Sequence, residues 1–166
     1  MARYLLLSVC ILALAMSAAA QTKLVAVIDC NNADPLHIIA VPDREGFSYQ
    51  INQNKCKWTK GSDLEGIEPG EVFNVVFVDT RGARVRTDHT QVTRYTNGDR
   101  VFATGTGSYD SKAMSSTGKW SYTGGTGKFR GLKGSGSYVC KSKGAEPNSG
   151  YTCDVEGEYA LPAAGK

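Results

Sequence analysis

The chain reads as an all-β protein, an eight-stranded antiparallel β-barrel, with a β-sandwich as the alternative. Three observations predict this. Short segments rich in Val, Ile, Thr, Tyr, Phe and Trp alternate with Gly-, Pro-, Asn- and Asp-containing turns from Leu24 to Leu161. No window shows a helical period, and 14 of the 19 glycines lie at or after Gly98, where they would weaken helices and instead mark bulges and corners of strands. Thr96–Asp99 (TNGD) contains an Asn-Gly pair, a strong short-range hairpin signal. About eight strands joined by short turns favour closure, because a barrel leaves no unpaired edge. At 166 residues, 41% hydrophobic and 21% charged, the chain suits one domain with a real core.

Element by element, Leu24–Asp29 (LVAVID) is a short apolar strand, Asn31–Pro35 a turn, and His37–Val41 a second short strand. Phe47–Trp58 is a long strand with Phe47, Tyr49 and Ile51 on one face. Cys56 and Trp58 share the other face, so a bulge or twist is expected to switch the buried side. Gly61–Gly70 is a polar loop, and Val72–Val78 (VFNVVFV) reads as the most buried strand. Asp79–Gly82 turns into Arg84–Tyr95, and Arg100–Ser108 pairs back after the Asn-Gly turn. Tyr109–Gly118 reads as a flexible loop. The strands Lys119–Thr123, Lys128–Leu132, Gly134–Lys141 and Tyr151–Leu161 complete the set.

Residues 1–20 read as an address. Arg3 supplies a positive start, Leu5–Met16 is apolar apart from Ser8, and Ala18-Ala19-Ala20 forms a small-residue cleavage site before Gln21. This is the layout of a cleaved secretory signal peptide. The apolar run, about 12 residues, is too short to cross a bilayer about 30 Å thick. Residues 21–166 are then expected to form the single barrel domain, secreted or periplasmic, with no membrane span.

Cys30, Cys56, Cys140 and Cys153 remain after such processing, and an even number in an exported chain suggests disulfides. A hairpin register favours Cys140–Cys153. With those two opposite each other, Tyr138 faces Val155, Gly136 faces Gly157 and Gly134 faces Tyr159. Ser135, Ser137, Lys141, Asp154, Glu156 and Glu158 then take the other face. Cys30–Cys56 follows by pairing what is left. There is no Cys-x-x-Cys and the two histidines are scattered, so no metal site is expected.

The stretch Gly124-Gly125-Thr126-Gly127-Lys128-Phe129-Arg130-Gly131-Leu132-Lys133-Gly134 resembles the late strand-turn-strand motif of the dirigent and allene oxide cyclase barrels. Lys119–Thr123 (KWSYT), Val155–Tyr159 (VEGEY), Cys56–Thr59 (CKWT) and Asn97–Asp99 resemble uncharacterised exported bacterial proteins with a similar barrel. The resemblance implies an allene oxide cyclase/dirigent-like barrel, often trimeric, with one open end and an apolar cavity. Activities of those families are cyclisation of an unstable epoxide and steering of radical coupling. Their catalytic residues find no one-by-one match here, so none is carried over. Read mechanically, the glycine run permits a tight turn and Phe129 plugs the wall. A phosphate loop fails on spacing, since Phe129 follows Lys128, and the dinucleotide fingerprint fails because position 130 is Arg.

The candidate chemistry is thin. On Arg84–Tyr95, the residues Val85, Thr87, His89, Gln91, Thr93 and Tyr95 share one face, while Arg84, Arg86, Asp88 and Arg94 mark a charged outer face. His89, Gln91 and Tyr95 are thus expected towards the interior, and His89 is the titratable group of most interest there, as a hydrogen-bonding residue or general base. Trp58, Trp120, Tyr122 and Phe129 could line a cavity or fill a core. The candidate ligand residues are His89, Gln91, Tyr95, Trp120, Tyr122 and Phe129. The charges from Asp79 to Arg100 read as a solvated face, and His37 as exposed or structural. A net charge of +3 without a basic stripe argues against nucleic acid, and no motif calls for a cofactor. The order of expectation is a binder of a small apolar or amphipathic ligand, then a structural envelope protein able to form homo-oligomers, then a cyclase or isomerase.

Overall fold

The computed structural model describes residues 21–162; the expected signal peptide lies outside them. Among these residues nine strands form: β1 (Thr22–Cys30), β2 (Leu36–Ala40), β3 (Phe47–Lys60), β4 (Pro69–Arg81), β5 (Arg84–Tyr95), β6 (Arg100–Asp110), β7 (Ser115–Gly125), β8 (Lys133–Ser142) and β9 (Tyr151–Ala160). Every pairing is antiparallel. The sheet runs β1-β9-β8-β7-β6-β5-β4-β3-β2, and β1 also pairs with β3. That last pairing closes an eight-stranded barrel and leaves β2 as one extra strand. β1 lies along residues 56–60 of β3, and β2 along residues 48–52. The two are therefore one strand position interrupted at Asn31–Pro35. No helix among the described residues is long and apolar enough to cross a membrane.

Both disulfides form, Cys30–Cys56 across the closing β1–β3 seam and Cys140–Cys153 between β8 and β9. The β8–β9 register sets Cys140 against Cys153, Tyr138 against Val155, Gly136 against Gly157 and Gly134 against Tyr159, as the alternation predicts. Two disulfides suit an oxidising environment.

Several local expectations are corrected. The β3–β4 register runs unshifted from Phe47 to Cys56, so no bulge switches the buried side of β3. Cys56 faces inward, and parity carries Asn54, Asn52 and Gln50 inward with it. Tyr49 and Ile51 are exposed instead. β4 is not the most buried strand: Val72 and Asn74 point in, while Val75 and Phe77 are exposed. Tyr109–Gly118 is no long loop, because β6 continues to Asp110 and β7 starts at Ser115. Asp110 Oδ1 caps the short turn by accepting from the Lys112 and Ala113 amides. Lys128–Leu132 is no strand, since Gly127–Phe129 forms a single 3₁₀ turn and β8 begins at Lys133.

That 3₁₀ turn closes one end of the barrel. Phe129, Leu64, Leu132 and Val72 are all at most 1% exposed and form a floor with Tyr95, whose ring centroid lies 4.5 Å from that of Phe129. Leu64 enters from the Gly61–Gly70 loop, so that loop is not wholly polar in role; the Leu64–Ile67 bridge holds it. Asp99 ties two turns together at this end. Its amide donates to Asn97 Oδ1, and its carboxylate accepts from the Lys128 amide at 3.1 Å. Gly127 has φ +51°, and a Cβ there would strike the Asp99 carboxylate. Only glycine meets both demands without strain.

Candidate functional site

Above the floor lies a cavity of about 390 Å³, within the range of small-molecule sites. It opens at the end formed by the β4–β5, β6–β7 and β8–β9 turns and the Asn31–Pro35 connector, where Thr80, Ser111, Glu146 and Ala33 line it.

Successive rungs of the barrel explain why it is hollow. One rung, followed by strand pairing, reads Asn52, Val76, His89, Gly105, Trp120, Gly136, Gly157 and Leu24. The next toward the mouth reads Gln50, Val78, Thr87, Gly107, Gly118, Tyr138, Val155 and Ala26. Rings lie over glycines. A Cβ at Gly105 would strike the His89 imidazole, and one at Gly107 or Gly118 would strike the Tyr138 hydroxyl. Trp120 folds against Gly157 and donates Nε1–H to the Glu156 carbonyl at 3.2 Å. With these rings laid against the wall, the centre stays open.

The lining has two unlike walls. Strands β3–β5 contribute amides: Gln50, Asn52, Asn54, Asn74 and Gln91. Asn54, Asn74 and Gln91 stand side by side on one rung. Strands β7–β9 contribute Trp120, Tyr122, Tyr138 and Val155, with Tyr122 edge-on to Trp120 at 4.8 Å between centroids. Asn54 Nδ2 donates to the Asn31 carbonyl at 2.9 Å, and Asn74 Nδ2 to the Tyr151 hydroxyl oxygen at 2.6 Å. The Oδ1 atoms of Asn52 and Asn74 are buried without a hydrogen-bond partner.

His89 meets Tyr138 edge-on, with centroids 5.4 Å apart. Burial holds its pKa below the ordinary imidazole value, opposed by the Asp88 charge on the outer face of the same strand. Burial likewise pushes up the phenols of Tyr122 and Tyr138, and that of Tyr151 to about 12. These groups are neutral near pH 7. They can hydrogen-bond and orient a guest, but no carboxylate among the lining residues partners His89 for acid–base work. Among the described residues no group of three His, Cys, Asp or Glu side chains converges.

The rim is tethered. Lys143 Nζ bridges Asp29 Oδ1 at 2.9 Å and the Cys30 carbonyl at 3.1 Å. The hydrogen bond from Lys143 is the main reason the Asp29 carboxyl sits below its ordinary pKa. The Gly150 amide donates to Asn32 Oδ1, and the Ala33 amide to the Asn148 carbonyl. The β8–β9 loop is thereby fastened to the β1–β2 connector.

Of the residues singled out in the sequence, His89, Gln91, Trp120 and Tyr122 line the cavity, with Trp58 beside them. Tyr95 and Phe129 do not, because both are packed into the floor, where Tyr95 donates its hydroxyl to the Ser62 carbonyl at 3.4 Å. Among the charges from Asp79 to Arg94, the pairs Arg81–Asp79, Arg86–Asp88 and Arg94–Glu71 form at the surface, where solvent screens them. Sequence reasoning missed the amide wall. Its signal was parity: once Cys56 is inside, so are positions 54, 52 and 50, and Asn74 follows Val72.

No family model and no curated protein sequence matches the chain. Among solved structures it is similar to the pterocarpan synthase dirigent protein PsPTS1, at 12% identity, TM-score 0.52, over 87% of this chain and 97% of that one. It is also similar to the pterocarpan synthase dirigent protein GePTS1, at 15% identity, TM-score 0.50, over 95% and 98%. A conserved protein of unknown function from Rhodopseudomonas palustris, RPA1785, matches at 12% identity, TM-score 0.46, over 84% and 98%. At such identities the likeness to the dirigent proteins shows the fold, a dirigent-like barrel, and nothing of the chemistry.

Proposed function

We propose that this barrel binds a small amphipathic molecule in its cavity. The observation that carries the reading is the hollow interior itself: rings laid over glycines, a sealed floor and one open mouth. A protein that needed only a stable barrel would gain from filling that space, because empty volume costs packing energy. His89 without a carboxylate partner favours binding over a cyclase- or isomerase-type turnover. Native mass spectrometry of residues 21–166, purified gently from the exporting host, tests the reading. A retained small-molecule adduct is the expected result; an apo mass that persists after incubation with host lipids and metabolites overturns it.

The same reading has the protein secreted or periplasmic, where its disulfides persist. Its exported form is expected to begin at Gln21, which N-terminal sequencing checks.

The outer face of β2–β4 favours a second reading, assembly with a second copy of the chain. Ile39 is 70% exposed, and Tyr49, Ile51, Phe77 and Val75 continue the apolar surface. β2 also offers a free edge of five residues without Lys, Arg, Asp or Glu. The bordering pairs Arg81–Asp79 and Arg86–Asp88 carry both signs, so the face meets its own copy without net repulsion. Sedimentation should show an oligomer that Ile51→Lys dissociates; a monomer at high concentration refutes this reading.

A further inference from the structure

We propose that the cavity selects an uncharged molecule with a hydroxyl or similar neutral hydrogen-bonding group on an apolar body, and rejects carboxylates. The inference rests on the cavity reading above and names the chemistry of its guest.

Two observations support it. The first is the amide wall. Asn52 and Asn74 are 8% and 7% exposed, both line the cavity, and the Oδ1 of each is buried with no partner. They are diagonal neighbours, since Asn74 stands opposite Asn54 and Asn52 lies two residues further along the same face. Such neighbours have Cα atoms roughly 7–8 Å apart. The Asn χ2 torsion is broad, so the Asn52 amide can turn an oxygen or a nitrogen to the lumen at little cost, whereas Asn74 keeps its Nδ2 on the Tyr151 hydroxyl and has only its oxygen without a partner. A buried amide left unmatched is unfavourable, and a guest hydroxyl, donor and acceptor at once, satisfies it.

The second observation is the charge inventory. The chain carries 19 Lys and Arg residues, yet among the described residues none that lines the cavity is Lys or Arg. Among the described residues the one acidic lining residue is Glu146, on the β8–β9 loop at the mouth, and it repels anions. His89 is the only titratable nitrogen among the described lining residues, and its burial disfavours the imidazolium that could offset a carboxylate. An anion entering this lumen would lose its water and meet no cation, which is strongly unfavourable. Opposite the amides, Trp120, Tyr122 and Val155 offer an apolar surface for the rest of the guest.

The test uses three probes on one skeleton, naphthalene, 2-naphthalenemethanol and 2-naphthoate, titrated calorimetrically at pH 7.5 into residues 21–166 with both disulfides intact. The alcohol should bind about tenfold more tightly than the hydrocarbon. The carboxylate should bind about a hundredfold more weakly than the alcohol. In the Asn52→Leu/Asn74→Leu variant the advantage of alcohol over hydrocarbon should vanish while hydrocarbon binding persists. Near-UV circular dichroism checks that the variant is folded; if it is not, Asn52→Leu alone and the wild-type order decide. Naphthoate binding as tightly as the alcohol, or an alcohol no better than naphthalene, overturns the proposed class and leaves the cavity reading standing. If none of the three binds, both the class and the cavity reading fall.

Discussion

Replacing Phe129 by Ala tests the claim that one end of the barrel is sealed. The ring is fully buried, packs on Tyr95 at 4.5 Å between centroids, and sits among Leu64, Leu132 and Val72, all at most 1% exposed. Truncation of a buried Phe to Ala typically costs about 3–5 kcal/mol, more where the surroundings cannot collapse. Here collapse is restrained. The turn that carries Phe129 is held by the Asp99 carboxylate through the Lys128 amide, and by the Phe129 amide bonding the Thr126 carbonyl. The expected loss is therefore about 4 kcal/mol, and the melting temperature should fall by roughly 10 °C. Urea unfolding followed by circular dichroism measures the loss, with the slope against urea unchanged. Phe129→Leu, which refills most of the space, should lose under about 1.5 kcal/mol. A loss below about 1 kcal/mol for Phe129→Ala would refute the sealed floor.

Three further outcomes follow from the same geometry. Removing the Cys30–Cys56 bridge with two serines should cost about 3.5 kcal/mol and removing Cys140–Cys153 about 3 kcal/mol, from sequence separations of 26 and 13 residues in the loop-closure relation; paired urea titrations would check that ranking. His89 has a folded pKa depressed below 6.5 by burial, so the unfolded chain takes the proton first. Stability should thus be complete above about pH 6.5 and decline as the pH falls from there toward the folded value, and His89→Gln should flatten that limb. Equal pH slopes for the two proteins would count against a buried neutral imidazole. Gly127→Ala places a Cβ at φ +51° against the Asp99 carboxylate and should cost about 2 kcal/mol, seen as a lower thermal midpoint. An unchanged midpoint would mean that the turn relaxes freely.

Much of the architecture was legible because β alternation is local. The β8–β9 register could be read from the sequence, since a single alignment paired Cys140 with Cys153 and sorted Tyr138 and Val155 from Ser137 and Glu156. The Asn-Gly hairpin, the charged outer face of β5 and the inward set His89 and Gln91 were visible for the same reason. Other features resisted. Gly127–Phe129 looks like part of a strand until Asp99, 29 residues earlier than Lys128, is seen to hold it as a turn. Tyr95 and Phe129 looked like cavity residues because parity tells inside from outside but not floor from lumen. Ile51 and Phe77 looked buried because they are apolar, and only closure of the sheet put them outside.

The sequence by itself thus determined the all-β class, the Asn-Gly hairpin and the Cys140–Cys153 pair, since these depend on periods of two and on neighbours across one hairpin; Cys30 and Cys56 were paired only as the two left over. The tertiary structure alone decided which face of β3 and β4 became the interior. That choice depends on closure of the β1–β3 seam, which sets Cys30 opposite Cys56 and carries Asn52, Asn54 and Asn74 inward by parity. Closure is a long-range event between strands 26 residues apart at that bridge. It made a row of amides one wall of a cavity.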